Sequence, residues 1–532
     1  MSRQTVNGER PLRGVAILTP ATLLAKFIGL FYKIPLIAVV GVAGMAYFLS
    51  AYHVYSMLFV LFASGLPTAL SLLVSRAAVT TGNAVGRIFA VTFFCFLGLA
   101  TLGGALLFFF AAPVARLLAM PDAAGALRLI APALPFAVVT GAVKGLFQGH
   151  HDMLPSAAAE VLEALGKLLF GVTLARLARA AGGDTASVAA AAVAGVTAGA
   201  ALSALVMLVW LLAARRRLFA ADNKADNVPT PRAVLGALWR VAFPITVSAA
   251  VTALITLIDT ALISAGLQGA GFAPTVAHEM YSSYGNLALP LYNLVPALLA
   301  PVTLSLLPAL GKALAGGDFA GAASAYLLAL RVSLLITLPA AFGLAVFAAP
   351  ILSVLYVGEQ GAVALAAPLL SLLAVSLPLT VFISVTTSAL QAIGKPALPV
   401  YTMLSGACLK LVLEWGLLSL PAVNIYAAPV STFACNFLVL AANLWLLARK
   451  SSFSTPIYRM AIGPLFAAAA AIFFGVLVYR VAALALSPLP ALAVTLLLVV
   501  LLYFLAASLF GLLDDAVLGA LPFGTILLKC KK

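Results

Sequence analysis

Two lysines in the first apolar segment are the residues of this sequence best suited to binding an anion. The segment from Val15 to Val40 is long enough to cross a bilayer, yet it contains Lys26 and Lys33. Seven positions make almost two helical turns, so the two ammonium groups share one face at roughly 10 Å. Gly29 lies between them and lets a ligand or another backbone come close. Because an unpaired charge is costly in hydrocarbon, the pattern predicts a cationic wall inside a cavity.

A second group of charges occurs in the fifth apolar segment. Glu160, Glu163 and Lys167 stand at i, i+3 and i+7, near one helical face, and Glu163 precedes Lys167 in the favourable i,i+4 order. One interpretation is a neutralised pair near the cytoplasmic end of the helix. The other is a lining of the cavity, since even a neutralised pair avoids lipid. The sequence does not decide between these two interpretations.

The seventh segment carries a polar stripe that ends in a carboxylate at mid-membrane depth. Its members recur at steps of four, four and three residues: Ser248, Thr252, Thr256 and Asp259. The carboxylate could bind a coupling cation (Na⁺ or H⁺), form a structural ion pair or stay protonated. Its candidate partners are Lys410 and Glu414, four positions apart in the eleventh segment.

The eighth segment combines polar side chains with prolines. Tyr284 and Asn286 precede Pro290, and broken helices at membrane depth are tolerated where protein or water satisfies the freed carbonyls. The pattern favours a substrate path over an aromatic belt at the membrane surface. His53, close to two tyrosines, could line the same cavity or be a packing residue.

The elements that must position these residues are membrane-spanning helices. Of the 532 residues, 64% are hydrophobic and only 8% are charged, which excludes an ordinary soluble protein. The net charge of +15 is expected on cytoplasmic loops that face anionic lipid, not on a nucleic-acid site. The predicted fold class is an all-α polytopic membrane protein with about fourteen spans. They are placed near 14–40, 45–75, 86–112, 124–147, 156–178, 187–214, 234–266, 279–311, 319–349, 362–393, 397–420, 425–448, 456–482 and 487–512.

Two halves of the chain resemble each other. A Pro-x-x-x-Ser-Leu-Leu stretch occurs at 67–73 and again at 301–307, and a Gln nineteen positions before a Lys occurs in each half. Related halves with an even number of spans predict a pseudo-symmetric transporter whose site lies between them. The predicted divisions are an N-terminal lobe at 1–214 (helices 1–6), a basic cytoplasmic connector at 215–233, a C-terminal lobe at 234–450 (helices 7–12), and the last two helices with a cytoplasmic tail at 451–532.

Neither a catalytic nor a metal site is expected. The four cysteines form no C-x-x-C pair, and His150 and His151 are adjacent in a short turn, so their side chains point apart. The longest hydrophilic connection, 215–231, leaves no room for the catalytic domain that a membrane glycosyltransferase would need. The protein is therefore predicted not to be an enzyme, and to need no cofactor beyond a coupling cation.

Four stretches, in this order and spacing, resemble the SpoVB/MurJ-type branch of the multidrug, oligosaccharidyl-lipid and polysaccharide exporter superfamily. They are residues 64–75, 145–168, 284–314 and 388–412. The resemblance implies two six-helix lobes around a central cationic cavity, with the last two helices forming a groove for a lipid tail. Lys26, Gly29 and Lys33 occupy places comparable to the basic residues and glycine of that family's first helix.

The expected function is that of a flippase for undecaprenyl-pyrophosphate-linked saccharides, notably the peptidoglycan precursor lipid II. The protein would lie in a bacterial inner membrane with both termini cytoplasmic, surrounded by membrane lipids and with the cell-wall synthesis machinery as a candidate partner. A teichoic-acid or polysaccharide precursor flippase and a cation-coupled multidrug antiporter are the alternatives. The predicted cavity residues are Lys26, Gly29, Lys33, His53, Glu163, Lys167, Tyr284, Asn286 and Lys410, with Asp259 and Glu414 as the coupling-ion or ion-pair site.

Overall fold

A computed structural model describes residues 20–22, 24–29, 31–80, 85–219, 229–450 and 457–520 of the chain. Every regular element in these ranges is a helix, which confirms the predicted all-α class. Residues 220–228 of the predicted connector and the predicted tail from 521 onwards lie outside the described residues.

By its internal packing the chain divides into two compact units. The first comprises residues 1–268 and 273–282, and the second comprises 269–272 and 283–532. The helices of the first unit are α1 (Pro20–Val40), α2 (Val42–Phe59), α3 (Leu66–Thr80), α4 (Val85–Phe109), α5 (Ala111–Leu117), α6 (Ala124–Ile130), α7 (Ala133–Gly149), α8 (Leu154–Ala180), α9 (Thr185–Leu218), α10 (Pro231–Gly269, apart from its last residue) and α11 (Pro274–Ser282). The predicted division at 215–233 rests on the sequence repeat and stays a prediction.

The second unit continues with helices of the same apolar character. They are α12 (Leu289–Ala315), α13 (Phe319–Val346), α14 (Ala348–Leu355), α15 (Gln360–Val375), α16 (Leu377–Ala392), α17 (Ala397–Leu418), α18 (Ala427–Lys450), α19 (Ile457–Ala485), α20 (Pro488–Leu509) and α21 (Asp515–Ala520). A π-helical stretch, Ser283–Ala288, leads into α12, and another, Val60–Ser64, follows α2.

Fewer helices are long and apolar enough to span a membrane than the fourteen predicted, although each predicted segment overlaps a helix. Within the described residues, eleven helices are long and apolar enough to cross a membrane, or twelve if the bent pair α15 and α16 counts as one span. The predicted fifth and eighth spans fall on α8 and α12, which are outside that count. For α8 the reason is charge, since five ionisable side chains interrupt it: Glu160, Glu163, Lys167, Arg176 and Arg179.

Large apolar side chains cover the outside of both units. Phe109, Leu484 and Leu509 are each more than three-quarters exposed. A soluble protein would not leave so many aromatic and aliphatic groups in water, whereas a bilayer solvates them. The helices are therefore packed inside by small and aliphatic residues and wrapped by a lipid-facing surface.

Glycines bring α8 and α9 unusually close. A Cβ atom on Gly166 would lie 2.8 Å from Cα of Gly199, and one on Gly195 would collide with the backbone of Gly171. Such contacts require residues without side chains at the crossing, as in other small-residue helix interfaces in membranes. This crossing fixes the position of α8, and hence of the charged side chains that α8 carries.

Candidate functional site

A pocket of about 330 Å³ in the first unit contains the two lysines of α1. Its walls come from three helices: α1, α2 and α8. The lining residues are Thr22, Ala25, Lys26, Gly29, Tyr32, Lys33, Phe48, Leu49, Tyr52, Glu160, Glu163, Ala164 and Lys167. The sequence-predicted pair Lys26 and Lys33 and the predicted pair Glu163 and Lys167 thus share one pocket.

The lysines of α1 reach this pocket from one helical face. Lys26 is exposed and Lys33 is half-buried. A Cβ atom on Gly29 would meet no atom of the described residues within 4 Å, so within them this glycine borders open space and not another backbone. Of the two uses predicted for Gly29, the geometry favours access for a ligand.

Hydrogen bonds at both ends hold α1 against α8. Near the start of α1, Thr22 Oγ1 donates to Glu160 Oε2 at 2.7 Å. Near its end, Arg179 Nη1 donates to the carbonyl oxygen of Val39. An Arg that donates to one of the last carbonyls of a helix satisfies a group without an intrahelical partner. The two contacts make α1 and α8 parallel, with Lys26 and Lys33 between the contacts.

Glu163 and Lys167 form a close ion pair on the opposite wall. Lys167 Nζ lies 2.6 Å from Glu163 Oε1, and their side chains are 18% and 26% exposed, respectively. The pair is therefore neutralised and also lines the pocket, while its position near the cytoplasmic end of the helix stays a prediction. Gly199 lies directly behind it, because a Cβ atom there would be 2.7 Å from Lys167 N.

The pocket has a positive charge that two carboxylates partly neutralise. Its lining has three lysines and two glutamates, a net of one positive charge. Lys144 of α7 adds a further charge from behind, at 3.5 Å from Glu160 Oε1. Its side chain is only 14% exposed. The Lys144–Glu160 pair joins residues sixteen positions apart in different helices, a contact that periodicity alone does not predict.

Aromatic side chains complete the pocket. The ring centroids of Tyr32 and Phe48 are 6.3 Å apart, and the rings of Phe48 and Tyr52 are nearly parallel at 6.3 Å. Aromatic faces beside carboxylates and lysines suit a ligand that is partly a sugar and partly a phosphate. Thr22, Tyr32 and Phe48 were missed by sequence reasoning, because isolated aromatic and hydroxyl residues in an apolar helix give no distinctive pattern.

His53 lies outside the residues that line this pocket. Its Nδ1 is 2.7 Å from Thr260 Oγ1 and 3.3 Å from the hydroxyl of Tyr281. Tyr281 also donates to Thr260 Oγ1 at 3.1 Å. This hydrogen-bonded cluster links α2, α10 and α11, which favours the packing interpretation of His53.

The polar stripe of α10 is only partly turned inward. Thr252 and Thr256 are exposed and Asp259 is half-buried, while the side chain of Ser248 is outside the described residues. Thr256 Oγ1 donates to the carbonyl oxygen of Thr252 at 3.1 Å, a local bond within the helix. A role for Asp259 in ion coupling stays a prediction.

The remaining predicted residues belong to the second unit. Tyr284 and Asn286 are buried in the π-helical stretch before α12, where Tyr356 donates to the backbone carbonyl of Asn286 at 3.3 Å. In α17, Lys410 Nζ is 3.9 Å from Glu414 Oε2, and the Glu414 side chain is completely buried. Their membership of a shared transport cavity stays a prediction.

The second unit also has an apolar groove of about 440 Å³. Residues of α12, α13, α14 and α20 line it. The resemblance assigns a groove for a lipid tail to the last two long helices, α19 and α20. Residues of α20 line this apolar groove. In the described part of the chain, no three His, Cys, Asp or Glu side chains are grouped as metal ligands.

Comparisons with known proteins agree with this fold. The family model described as "Polysaccharide biosynthesis protein" matches residues 12–314, and the MatE model matches 283–415. The chain is 24% identical over 440 residues to "Uncharacterized membrane protein YabM" of Bacillus subtilis (strain 168), covering 82% of this chain and 80% of that protein. It is 22% identical over 435 residues to "Lipid II flippase MurJ" of the same organism, covering 77% of each chain.

A solved structure has the same fold over nearly the whole length. It is described as "Lipid II flippase MurJ, inward closed conformation" and matches with a TM-score of 0.70 at 15% identity. The match covers 93% of this chain and 98% of that one.

Proposed function

The chain belongs to the polysaccharide biosynthesis protein family, and we propose that it moves undecaprenyl-pyrophosphate-linked saccharide precursors from the cytoplasmic to the outer leaflet. The resemblance drawn from the sequence is confirmed by this membership and by the MurJ-like fold. We further propose that the chain acts as a transporter, in line with the name of the matched lipid II flippase, and that its action needs no covalent step. Lipid II is the cargo that we propose, in a bacterial inner membrane with both termini cytoplasmic.

The single observation that supports this proposal most is the lysine-lined pocket beside α1. Ionised phosphates form charge-assisted hydrogen bonds with ammonium groups, and Lys26 and Lys33 lie on the wall of the same pocket. The nearby aromatic rings and carboxylates offer stacking and hydroxyl contacts for a sugar. The polyprenyl tail would remain in lipid throughout.

Alternating access would carry the headgroup across the bilayer. The two lobes would rock around the bound headgroup, so that the pocket opens first inward and then outward. A driving force requires different binding free energies in the two states. We assign this role to Asp259 with a coupling cation, or to the membrane potential acting on the bound charges.

The first test is lipid binding by the purified full-length protein, followed by native mass spectrometry. Lipid II, undecaprenyl phosphate and an unrelated anionic lipid are offered together to the wild type and to Lys26→Gln/Lys33→Gln. Losing a hydrogen bond to a charged group costs about 1.5–3 kcal/mol, so each substitution should weaken lipid II binding by roughly tenfold or more. Lys395→Gln is the matched control, because Lys395 is exposed in the turn before α17.

Selective retention of lipid II that only the double substitution abolishes would support the proposal, and a flipping assay in vesicles would follow. Equal retention of all three lipids, or a double variant that binds like Lys395→Gln, would refute the role of α1. The match of the MatE model to residues 283–415 favours one other candidate, a cation-coupled small-molecule antiporter. Efflux of a cationic dye without lipid II movement would identify that activity. A preference for a teichoic-acid precursor over lipid II would change the cargo and keep the mechanism.

A further inference from the structure

A second charged pocket, of about 330 Å³, lies at one end of the hairpin formed by α19 and α20. Its charged lining residues are Arg331 of α13, Arg459 at the start of α19 and Asp514 after the end of α20. All of its lining residues belong to the second unit, whereas the α1 pocket is lined entirely by the first. The function proposed above makes no use of it.

Among the described lining residues, Asp514 supplies the one carboxylate of this pocket, and it is already engaged. Asp514 Oδ2 lies 3.4 Å from Arg331 Nη1, and its Oδ1 accepts a hydrogen bond from the backbone N–H of Val517 at 2.8 Å. Asp514 therefore caps the short helix α21 and partly balances Arg331. Two arginines against one carboxylate leave the pocket positive.

Arg459 is held so that most of its donors remain available. Its Nε donates to the hydroxyl of Tyr458 at 2.6 Å, and its guanidinium lies 5.5 Å from the centroid of that ring. Among the described residues, this is the one hydrogen bond that the Arg459 side chain makes. An arginine fixed by an adjacent aromatic ring keeps a planar pair of N–H groups for a phosphate.

The charged pocket and the apolar groove of the second unit are adjacent. Leu335 lines both, so a ligand with a charged head and an apolar chain could occupy the two together. The groove, of about 440 Å³, is lined by apolar side chains and suits a hydrocarbon chain. The cargo proposed above places its pyrophosphate beside Lys26 and Lys33 in the first unit, so a lipid whose phosphate lies here is a different molecule.

We propose that this pocket and groove bind an anionic phospholipid as a resident lipid, with its phosphate between Arg331 and Arg459. Basic pockets between membrane helices are recognised by anionic headgroups, and α19 begins where α20 ends, at the level expected for headgroups. Tyr458, which is 62% exposed, is suited to the same interfacial level. The bound lipid would fasten the final hairpin to α13.

The test measures retention of phosphatidylglycerol against phosphatidylcholine by the full-length protein in native mass spectrometry. Each arginine near an anionic surface contributes roughly a fivefold preference, so Arg331→Gln/Arg459→Gln should lower phosphatidylglycerol binding by about 25-fold. Arg480→Gln is the control, because Arg480 is an exposed arginine near the other end of α19. Asp514→Asn keeps an N-cap side chain but removes the negative charge, and should raise the affinity about fivefold.

Further arms distinguish the source of the phosphate. Soluble glycerol phosphate should not bind measurably, because it lacks the chain, and Ala340→Phe in the groove should weaken binding of the long-chain lipid. Equal phosphatidylglycerol retention by the double-arginine variant and by Arg480→Gln would overturn the proposal. Preferential binding of undecaprenyl phosphate at the same arginines would overturn it as well, by making the groove a cargo site. Should the double variant fail to fold, an affinity for phosphatidylglycerol that does not rise in Asp514→Asn would refute the charge argument.

Discussion

Replacing Gly199 by alanine should displace the ion pair that lines the α1 pocket. A Cβ atom at this position would lie 2.7 Å from Lys167 N and 2.9 Å from Glu163 O. Both neighbours are backbone atoms of α8, which cannot rotate away as a side chain can. Ordinary contact begins near 3.4 Å, so α8 and α9 must separate locally by roughly 0.7 Å.

The energetic cost can be isolated with a matched glycine. Overpacking a tight contact costs about 1–3 kcal/mol, whereas alanine in place of a helical glycine gains up to about 1 kcal/mol. Gly98 of α4 is the control, because a Cβ atom there meets no atom of the described part of the chain within 4 Å. Both variants share the helix-propensity gain, so the difference between Gly199→Ala and Gly98→Ala reports the clash alone.

Two measurements check this prediction. Thermal unfolding in detergent should give Gly199→Ala a melting temperature roughly 2–12 °C below that of Gly98→Ala, since the clash costs about 1–3 kcal/mol and each kcal/mol shifts the melting temperature by about 2–4 °C. Lipid II binding by the folded Gly199→Ala protein should also weaken, because the Glu163 and Lys167 side chains move with the α8 backbone. If the two variants melt together and bind alike, the helix crossing does not set the geometry of the pocket.

Three further predictions concern single side chains. Glu163→Gln should lower stability by about 1–3 kcal/mol in thermal unfolding, since it leaves the half-buried Lys167 without its ion-pair carboxylate, yet it should tighten binding of a pyrophosphate lipid. Tyr281→Phe should lower the free energy of unfolding by about 1 kcal/mol, because it removes one hydroxyl from the hydrogen-bonded cluster around His53. If the melting curve of this variant is the same as that of the wild type, the cluster contributes nothing to stability. Asp184 caps α9 outside the spans, and hydrogen bonds from the Ser187 side chain and backbone lower its pKa. A lowered folded-state pKa gives stability that is complete above the unfolded pKa of about 3.9 and is lost as pH falls further, so Asp184→Asn should flatten the melting temperature between pH 5 and pH 3.

The fold was predictable from the sequence because segments that span a membrane can be recognised from the order of their residues alone. Runs of about twenty apolar residues must become helices in lipid, where each backbone group needs an internal partner. The charged helix α8 was also predictable as a helix, although its five ionisable side chains remove it from the spans that length and composition define. For the glycine crossing with α9, the sequence offers one G-x-x-x-G, Gly195 to Gly199, and does not indicate the partner glycines of α8.

The site was predictable where spacing along one helix decides it. Lys26 with Lys33, and Glu163 with Lys167, are set by helical periodicity, and both pairs line one pocket. Contacts between helices were not predictable in this way. Nothing in the order of residues indicates that Lys144 meets Glu160, because that contact depends on how α7 packs beside α8.

The balance of charge in the α1 pocket suits a ligand that must be released again. A pyrophosphate diester carries about two negative charges, and Lys26 and Lys33 match them while Glu163 neutralises Lys167. Three lysines without carboxylates would hold the headgroup so firmly in one state that release on the other side would be slow, since transport needs a difference in affinity between states and not a maximal affinity. We therefore expect the Glu163–Lys167 ion pair to limit the affinity of the pocket for the headgroup. Removing its carboxylate should strengthen binding and slow transport. That opposite movement of affinity and rate separates a transport site from a lipid-binding surface, for which tighter binding would carry no such cost.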